Sequence, residues 1–154
     1  MLVYHGSTQI VKKPEIREAK FNKDFYFGFY CTIMKHQAER WATRFGENGY
    51  INVYDYAPND KLNVLKFETM TEDWLDFIVA CRSGHSHDYD IVEGPMADDT
   101  IYNYVQGYID GKYSRTVFWE LAKFKHPTHQ ISFHTEEALK TLHYVEGVMV
   151  YGEK

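Results

Sequence analysis

Three consecutive residues near the start of the chain, His5, Gly6 and Ser7, have the types needed to hold an amide-bearing ligand. A glycine lets the backbone approach an amide closely, so that its N–H and C=O can pair with that group. The serine hydroxyl adds a hydrogen bond, and the histidine can anchor a ribose hydroxyl. Alone, the tripeptide is a weak signal, because a strand that ends in a turn has the same composition.

A second motif follows about two dozen residues downstream, where Gly28, Tyr30 and Thr32 alternate along an aromatic segment. Taken alone, Tyr30 is best interpreted as a core aromatic side chain on a strand. In the context of the motif it has a second interpretation, a ring that stacks on a flat, electron-poor ligand. Such stacking contributes about 1 kcal/mol beyond burial.

The elements that must position these residues follow from hydrophobic periodicity. Residues 2–4 and 25–32 are predicted strands, and residues 8–24 a surface loop. Residues 51–56 and 62–67 are predicted to pair as a hairpin around the turn at Pro58. Further strands are predicted at 90–92, 130–133 and 144–151. Helical spacing predicts an apolar stripe from Met34 that comprises Met34, Ala38, Trp41, Ala42 and Phe45.

Start and stop signals mark the other helices. Thr71 is predicted to cap a helix ended by Gly84, and Asp98 or Asp99 to start one ended by Gly111. Another follows Ser114 and is broken by Pro127, with Val117, Phe118, Leu121 and Phe124 inward, and a short one follows Thr135. Strands and helices mix without a regular βαβ alternation, which predicts an α+β class. No glycine-rich Rossmann or P-loop motif is present.

The motifs together resemble the nicotinamide-binding halves of ADP-ribosyltransferases of the diphtheria-toxin and poly(ADP-ribose) polymerase type. Over nearly its whole length, the chain resembles a bacterial domain-of-unknown-function family placed with these enzymes. The resemblance is carried by Tyr4-His5-Gly6-Ser7, by Asp24-Phe25 with Gly28-Phe29-Tyr30 and Thr32, by Gln37-Ala38 with Trp41-Ala42, by Trp74-Leu75 with Phe77 and Arg82, by Asp90-Ile91-Val92 with Gly94-Pro95, Ala97 and Asp99, and by Gln130-Ile131 with Phe133, Thr135-Glu136 and Ala138-Leu139.

The resemblance implies one α+β domain, residues 1–154, with a split β-sheet and an NAD cleft between the His5 and Tyr30 strands. It further implies that Gly6 and Ser7 bind the nicotinamide amide, that His5 binds the adenosine ribose, and that Tyr30 stacks on nicotinamide. The implied reaction is mono-ADP-ribosylation of a macromolecule by a bacterial toxin paired with a small antitoxin protein. Two alternatives stay open: NAD glycohydrolysis and a catalytically inactive binding module.

Two positions depart from the family pattern. Tyr26 stands where the family usually has glycine. Gln130 stands at the start of the late strand where such transferases often carry a glutamate that stabilises an oxocarbenium-like transition state. A glutamine can accept the same hydrogen bond but adds no charge, so slower cleavage and no polymer elongation are expected. We favour Gln130 over Glu136 and Glu137, which have the spacing of a helix N-terminus.

Several further residues are weaker candidates. Arg82 could bind the NAD pyrophosphate, or it could be a solvated cation at a helix end. Asp90 and Asp99 are also candidates, with the alternative that they have only a structural role and stabilise the turn at Gly94 and Pro95. His85 with His87 and Asp88, and His126 with His129, have spacings that a metal could use, but no cysteine joins them and both pairs lie in polar loops. No metal is therefore expected.

The composition limits the classes of partner and the cellular location that are expected for this protein. The chain has 154 residues, a net charge of −5 and no basic run beyond Lys12 and Lys13, which argues against a general nucleic-acid binder, although a nucleic acid stays open as an acceptor. The aromatic fraction of 17% favours a core rich in packed rings. Cys31 and Cys81 lie in apolar segments and are expected to be reduced core thiols. With no signal-like or membrane-length segment, a cytoplasmic location is expected.

Overall fold

The fold is known from a computed structural model that describes residues 1–17, 23–95, 99–123 and 128–152, with only the backbone described at 99 and 100. Within these ranges it is a mixed α+β structure with two sheets and five helices. The strands are β1 (Leu2–Ser7), β2 (Phe29–Cys31), β3 (Gly49–Tyr56), β4 (Val64–Lys66), β5 (Ile91–Gly94), β6 (Gln130–Phe133) and β7 (Leu142–Val150). The helices are α1 (Lys35–Ala42), α2 (Glu72–Arg82), α3 (Asp99–Ile109), α4 (Arg115–Ala122) and α5 (Glu136–Leu139).

The first sheet, which we call sheet A, is antiparallel in the order β1-β3-β7. His5 lies opposite Asn52 in its register, and Gly6 lies opposite Ile51. The pairing of β3 with β7 shifts between Val53 and Tyr54, as expected for a bulge. The histidine motif therefore belongs to β1 itself instead of following a strand that ends at residue 4.

The second sheet, sheet B, has the order β2-β6-β5-β4, in which β4 and β5 are parallel and the other pairs antiparallel. Tyr30 lies opposite Ser132. The sheets meet at one antiparallel bridge, where Tyr4 and Thr32 exchange backbone hydrogen bonds of 2.8 and 2.9 Å. This bridge places the His5 strand directly beside the Tyr30 strand.

Side-chain alternation divides the apolar residues of sheet B between two cores. One face packs on sheet A through a cluster that includes Val3, Phe29, Tyr54, Ile131 and Phe133. The other face packs under α2, α3 and α4 through a cluster that includes Phe25, Trp74, Leu75, Ile78, Val92, Ile101, Val105 and Phe118. The two cysteines are buried and free, as expected.

Local signals explain most helix ends. Thr71, Ser114 and Thr135 each accept a hydrogen bond from a backbone N–H three residues ahead, which confirms the predicted cap at Thr71 and the predicted helix starts at Ser114 and Thr135. Gly84 and Gly111 have φ of 94° and 75°, the left-handed conformation that ends a helix. None of the helices in the described part of the chain is both long and apolar enough to cross a membrane.

Three predictions about elements are wrong. Residues 51–56 and 62–67 do not form a hairpin: β3 pairs within sheet A, whereas β4 pairs in parallel with β5 of sheet B. Only residues 29–31 of the predicted strand 25–32 are a strand, and residues 25–28 form a loop that packs over sheet B. The side chains of Trp41, Phe45, Val117 and Leu121, predicted to face inward, are 49%, 69%, 42% and 37% exposed. Phe124 and Pro127 lie outside the described residues.

Candidate functional site

His5 is fixed against the Tyr30 strand by its ring. Its Nδ1 lies 2.6 Å from the Tyr30 carbonyl oxygen, and the ring stacks on Phe29 with centroids 4.2 Å apart. Burial lowers the pKa of His5 to about 4. The ring is therefore neutral near pH 7. Because a carbonyl only accepts hydrogen bonds, Nδ1 carries the proton and Nε2 is an acceptor.

Gly6 lies where helix α1 crosses β1 most closely. A Cβ added at Gly6 would lie 2.3 Å from the Ala38 carbonyl oxygen and 2.9 Å from the Ala42 nitrogen. These contacts are too short for any side chain, so the packing of α1 alone requires glycine here. The glycine of the motif thus has a structural cause that is independent of any ligand.

Ser7 and the backbone after it are held by a short polar network. The Ser7 hydroxyl accepts a hydrogen bond from the Gln9 N–H at 3.1 Å, which leaves its own proton for donation. The fully buried Asn52 side chain donates to the carbonyls of His5 and Gln9 and accepts from the Val11 N–H at 2.8 Å. Asn52 therefore fixes the end of β1 where the motif lies.

Tyr30 is half-buried on the face of sheet B that α2, α3 and α4 cover. Its hydroxyl accepts from the Phe25 N–H at 3.1 Å and donates to the Tyr26 carbonyl. Burial raises the pKa of this phenol well above its usual value, so Tyr30 stays neutral. Its ring lies 6.3 Å from the His134 ring, edge to face, and 6.5 Å from the Phe25 ring.

Gln130 lies on the same face of sheet B as Tyr30, because Tyr30 pairs with Ser132 and residues two apart on a strand share a face. The buried Gln130 amide nitrogen lies 3.4 Å from a carboxylate oxygen of Asp24. This contact directs the amide N–H₂ toward Asp24 and leaves Oε1 as the acceptor. The glutamine is therefore oriented by a carboxylate that lies 106 residues away in the sequence.

Asp24 also forms a buried ion pair with Arg82. Arg82 Nε and Nη2 lie 2.9 and 2.6 Å from Asp24 Oδ1, and Nη1 donates to the Tyr102 carbonyl at 3.1 Å. The Arg82 side chain is 3% exposed and that of Asp24 10%. The interpretation of Arg82 as a solvated cation is therefore wrong. Its proposed contact with pyrophosphate stays a prediction, for which this geometry gives no support.

Two histidines hold the loop between residues 25 and 28. His87 Nε2 lies 2.9 Å from the Phe25 carbonyl, and its Nδ1 accepts from the Tyr89 N–H. His134 Nδ1 lies 2.8 Å from the Phe27 carbonyl, while its Nε2 lies 2.7 Å from the Ser132 hydroxyl. Burial lowers the pKa of His134 to about 4. Both rings therefore act as braces of the loop that covers Tyr30.

A cavity of about 210 Å³ lies by the far end of sheet B, beside Lys66, Glu68, Glu93, Thr128 and His129. The Ile33 N–H donates to His129 Nδ1 at 3.1 Å, so the ring proton lies on Nε2 and is donated to Glu93 at 2.8 Å. This bond, opposed in part by burial, lowers the pKa of Glu93. Both ring nitrogens of His129 are therefore occupied.

The other acidic candidates have structural contacts. Asp90 accepts from the Asn63 N–H at 2.8 Å and from the Thr135 hydroxyl at 2.7 Å, and so joins β4 to the start of α5. Glu136 and Glu137 are exposed in the first turn of α5, as the helix-start interpretation predicts. Within the described ranges, no three side chains of the ligating types converge on a metal site. His126 and the Asp99 side chain lie outside the described part.

Comparison with known proteins identifies the family. The model of the family described as "Protein of unknown function (DUF3990)" matches residues 1–144. The chain belongs to this family. No curated protein and no solved structure matches the chain.

The structure of this family member thus brings His5 and Tyr30 to the boundary between the sheets, with Gly6 and Ser7 at the end of β1. Gln130 lies one strand further in, on β6 beside β2. Arg82 is joined to them through Asp24. Sequence reasoning did not assign roles to Asp24, Asn52 or His134. The sequence signal for Asp24 was its place directly before an aromatic run, whereas Asn52 is an isolated polar residue in an apolar segment and His134 lies at the junction of β6 and the polar start of α5.

Proposed function

We propose that this chain is an NAD-dependent mono-ADP-ribosyltransferase with a split β-sheet, and that NAD binds between the His5 and Tyr30 strands. One observation carries the proposal. Two motifs about two dozen residues apart lie side by side at the junction of two sheets, with the His5 ring 2.6 Å from the Tyr30 carbonyl. Ligand sites generally place a few polar groups at fixed positions beside apolar and aromatic side chains, as this junction does.

The donors and acceptors at β1 suit a nicotinamide riboside. The Ser7 hydroxyl, which accepts from Gln9, can donate to the carboxamide oxygen, and the Gly6 backbone can pair with the carboxamide. His5 is neutral with its proton on Nδ1, so Nε2 can accept from a ribose hydroxyl. The tautomer required for this role is the one that the Tyr30 carbonyl imposes.

Tyr30 has two separable tasks in this proposal. Its hydroxyl fixes the loop at Phe25 and Tyr26, and its ring stacks on the nicotinamide. Gln130 Oε1 accepts a hydrogen bond from a hydroxyl of the reacting ribose. The bond between ribose C1′ and the nicotinamide nitrogen breaks, and nicotinamide leaves with the electron pair. A nucleophile of the acceptor bonds to C1′ and releases its proton to solvent.

The charges near Gln130 favour slow turnover and a single transfer. Asp24, the carboxylate that contacts Gln130, is paired with Arg82, so little net negative charge reaches the oxocarbenium-like transition state. A charged acceptor or a target that orders the site would assist cleavage. We place such an enzyme as a bacterial toxin restrained by a small partner protein.

Transfer of radiolabel tests the proposal. Purified protein is incubated with NAD labelled in the adenylate half, with and without bacterial lysate, and products are separated by size. Label that enters macromolecules only with lysate supports transfer. Free labelled ADP-ribose without lysate would instead establish NAD glycohydrolysis. Intact NAD in both samples would contradict both enzymatic activities and favour the catalytically inactive binding module.

A matched pair of variants links the label to the site. His5→Gln and the exposed His143→Gln remove one imidazole each. The proposal predicts that label transfer falls for His5→Gln and is unchanged for His143→Gln.

A further inference from the structure

The cavity of about 210 Å³ at the far end of sheet B has the size of a site for a small polar group. It is lined by residues at the ends of β4 and β5, just before β6 and just after β2. Pockets that enclose a drug-sized ligand have volumes of about 300–1,000 Å³. The cavity is therefore too small for a dinucleotide and better suited to a single side chain or a ligand of that size.

Glu93 gives the cavity a carboxylate in a fixed position. Its Oε2 lies 2.8 Å from His129 Nε2, and the two side chains are only 18% and 14% exposed. Because the Ile33 N–H donates to Nδ1 of the same ring, the ring is neutral and does not cancel the charge of Glu93. A carboxylate has about four lone-pair sites. Glu93 can therefore also accept hydrogen bonds from a donor that enters the cavity.

His129 is itself held in place by α1. The buried Gln37 side chain donates to the His129 carbonyl at 2.6 Å and accepts from the His129 N–H at 3.2 Å. The ring is fixed by its bonds to Ile33 and Glu93. The carboxylate is thus positioned before any ligand arrives, which reduces the entropy that a ligand must lose on binding.

The charged groups that line the cavity favour a cation. Two carboxylates, Glu68 and Glu93, face one ammonium, that of Lys66. The Lys66 ammonium lies 3.7 Å from Glu68, and both of these side chains are more than half exposed, so this pair is screened by water. An excess of negative charge remains at the less exposed Glu93. Ile33 and Pro95 add apolar surface on which the methylene stem of a cationic side chain can pack.

We propose that this cavity binds a guanidinium cation, with Glu93 as its hydrogen-bond acceptor. A guanidinium is always charged and is less strongly hydrated than an ammonium, so it pairs more readily with a partly buried carboxylate. The arginine side chain of a partner protein and free arginine share this chemistry. The inference goes beyond the proposed function and does not depend on it.

Titration with two blocked amino acids, followed by the NMR shifts of backbone amides, tests this site. N-acetyl-arginine amide carries the guanidinium, and N-acetyl-citrulline amide carries a neutral urea group of the same shape. We expect the arginine compound to shift the amide signals of Ile33 and Gly94, and the citrulline compound to bind about tenfold more weakly.

Glu93→Gln is expected to weaken binding of the arginine compound about tenfold, since it removes the charge but keeps an acceptor for His129. Glu146→Gln is the matched control, because it removes an exposed carboxylate from β7 in sheet A and should leave binding unchanged. Thermal melting of both variants checks that the fold is intact. The comparison of arginine with citrulline needs no variant and holds even if Glu93→Gln does not fold.

The site is overturned if the two compounds bind alike, if a folded Glu93→Gln binds as the unaltered protein does, or if the shifts lie away from the cavity. Free L-arginine distinguishes the sources: tighter binding than the blocked compound supports a free amino acid, and equal or weaker binding supports a protein side chain. Nicotinamide release from NAD is measured separately. A protein that binds arginine but leaves NAD intact keeps this site and loses the proposed function, and the reverse result keeps only the proposed function.

Discussion

At the scale of single residues, Tyr26 has the least favourable backbone in the described chain. Its φ is 75°, in the left-handed region, and no other described residue apart from glycine has a positive φ. A side chain there costs about 1–2 kcal/mol relative to glycine. The family resemblance anticipated a glycine at this position, and the backbone now gives a physical reason for one. Loop closure over Tyr30 holds the strained conformation.

Tyr26→Gly is expected to relieve this strain and to exceed Tyr26→Ala in stability by about 1 kcal/mol. Alanine is the matched control, because it removes the ring but keeps the Cβ. Urea denaturation gives the free energy of unfolding of both variants. Equal stabilities would show that the left-handed backbone is not strained.

The Asp24–Arg82 pair predicts a large asymmetry between single and double variants. Asp24→Asn is expected to lower the free energy of unfolding by about 3–5 kcal/mol, because it leaves a buried guanidinium without its counter-charge. Adding Arg82→Met should restore part of this loss. A double-mutant cycle in urea measures the coupling, and additive losses would contradict the buried pair.

At the scale of elements, close packing of α1 on β1 decides the identity of Gly6. Gly6→Ala is expected to lower the free energy of unfolding by more than about 2 kcal/mol, because the added Cβ meets backbone atoms of α1. Ser7→Ala, one residue along, should cost much less and serves as the control. Chemical denaturation tests the pair. A Gly6→Ala protein as stable as Ser7→Ala would contradict the described helix position.

The same scale shows what sequence could predict. Caps at Thr71, Ser114 and Thr135 are local signals, and each was predictable because the side chain and its N–H partner lie three residues apart. The position of β4 could not be predicted from local signals, because its parallel pairing with β5 joins segments separated by α2. Local turn chemistry at Pro58 favoured a hairpin, but long-range pairing determined the fold.

The candidate site divides in the same way. The resemblance to a known family predicted that four residues lie together, because it depends on the types and spacing of His5, Gly6, Ser7 and Tyr30. The contact of Asp24 with Gln130 joins residues far apart in sequence, so no local pattern contains it. The exposure of Trp41 and Phe45 also could not be predicted from the sequence, because helical spacing does not distinguish a core stripe from rings that stack on Arg44.

At the scale of the whole molecule, buried neutral histidines predict a loss of stability in acid. The pKa values of His5 and His134 are lowered to about 4 in the folded chain, against an ordinary value of 6.5 for a histidine exposed to water. Between these values the unfolded chain binds more protons, so the free energy of unfolding falls as pH drops from 6.5 toward 4. Each pKa unit corresponds to about 1.4 kcal/mol.

Urea denaturation at pH 7 and pH 4.5 measures this effect. His134→Gln is expected to lose less stability between the two pH values than the unaltered chain, and the exposed His143→Gln to lose as much. An equal loss for His134→Gln would show that His134 does not contribute to the acid sensitivity.

The most direct test of the central claim is nicotinamide release from NAD, measured by chromatography for the unaltered protein, Tyr30→Phe and Tyr30→Leu in bacterial lysate. Both variants lose the hydroxyl that fixes the loop, but only leucine loses the stacking ring. The account predicts release by the unaltered protein, and by Tyr30→Phe about tenfold faster than by Tyr30→Leu. No release by the unaltered protein, or equal rates for the two variants, would contradict it.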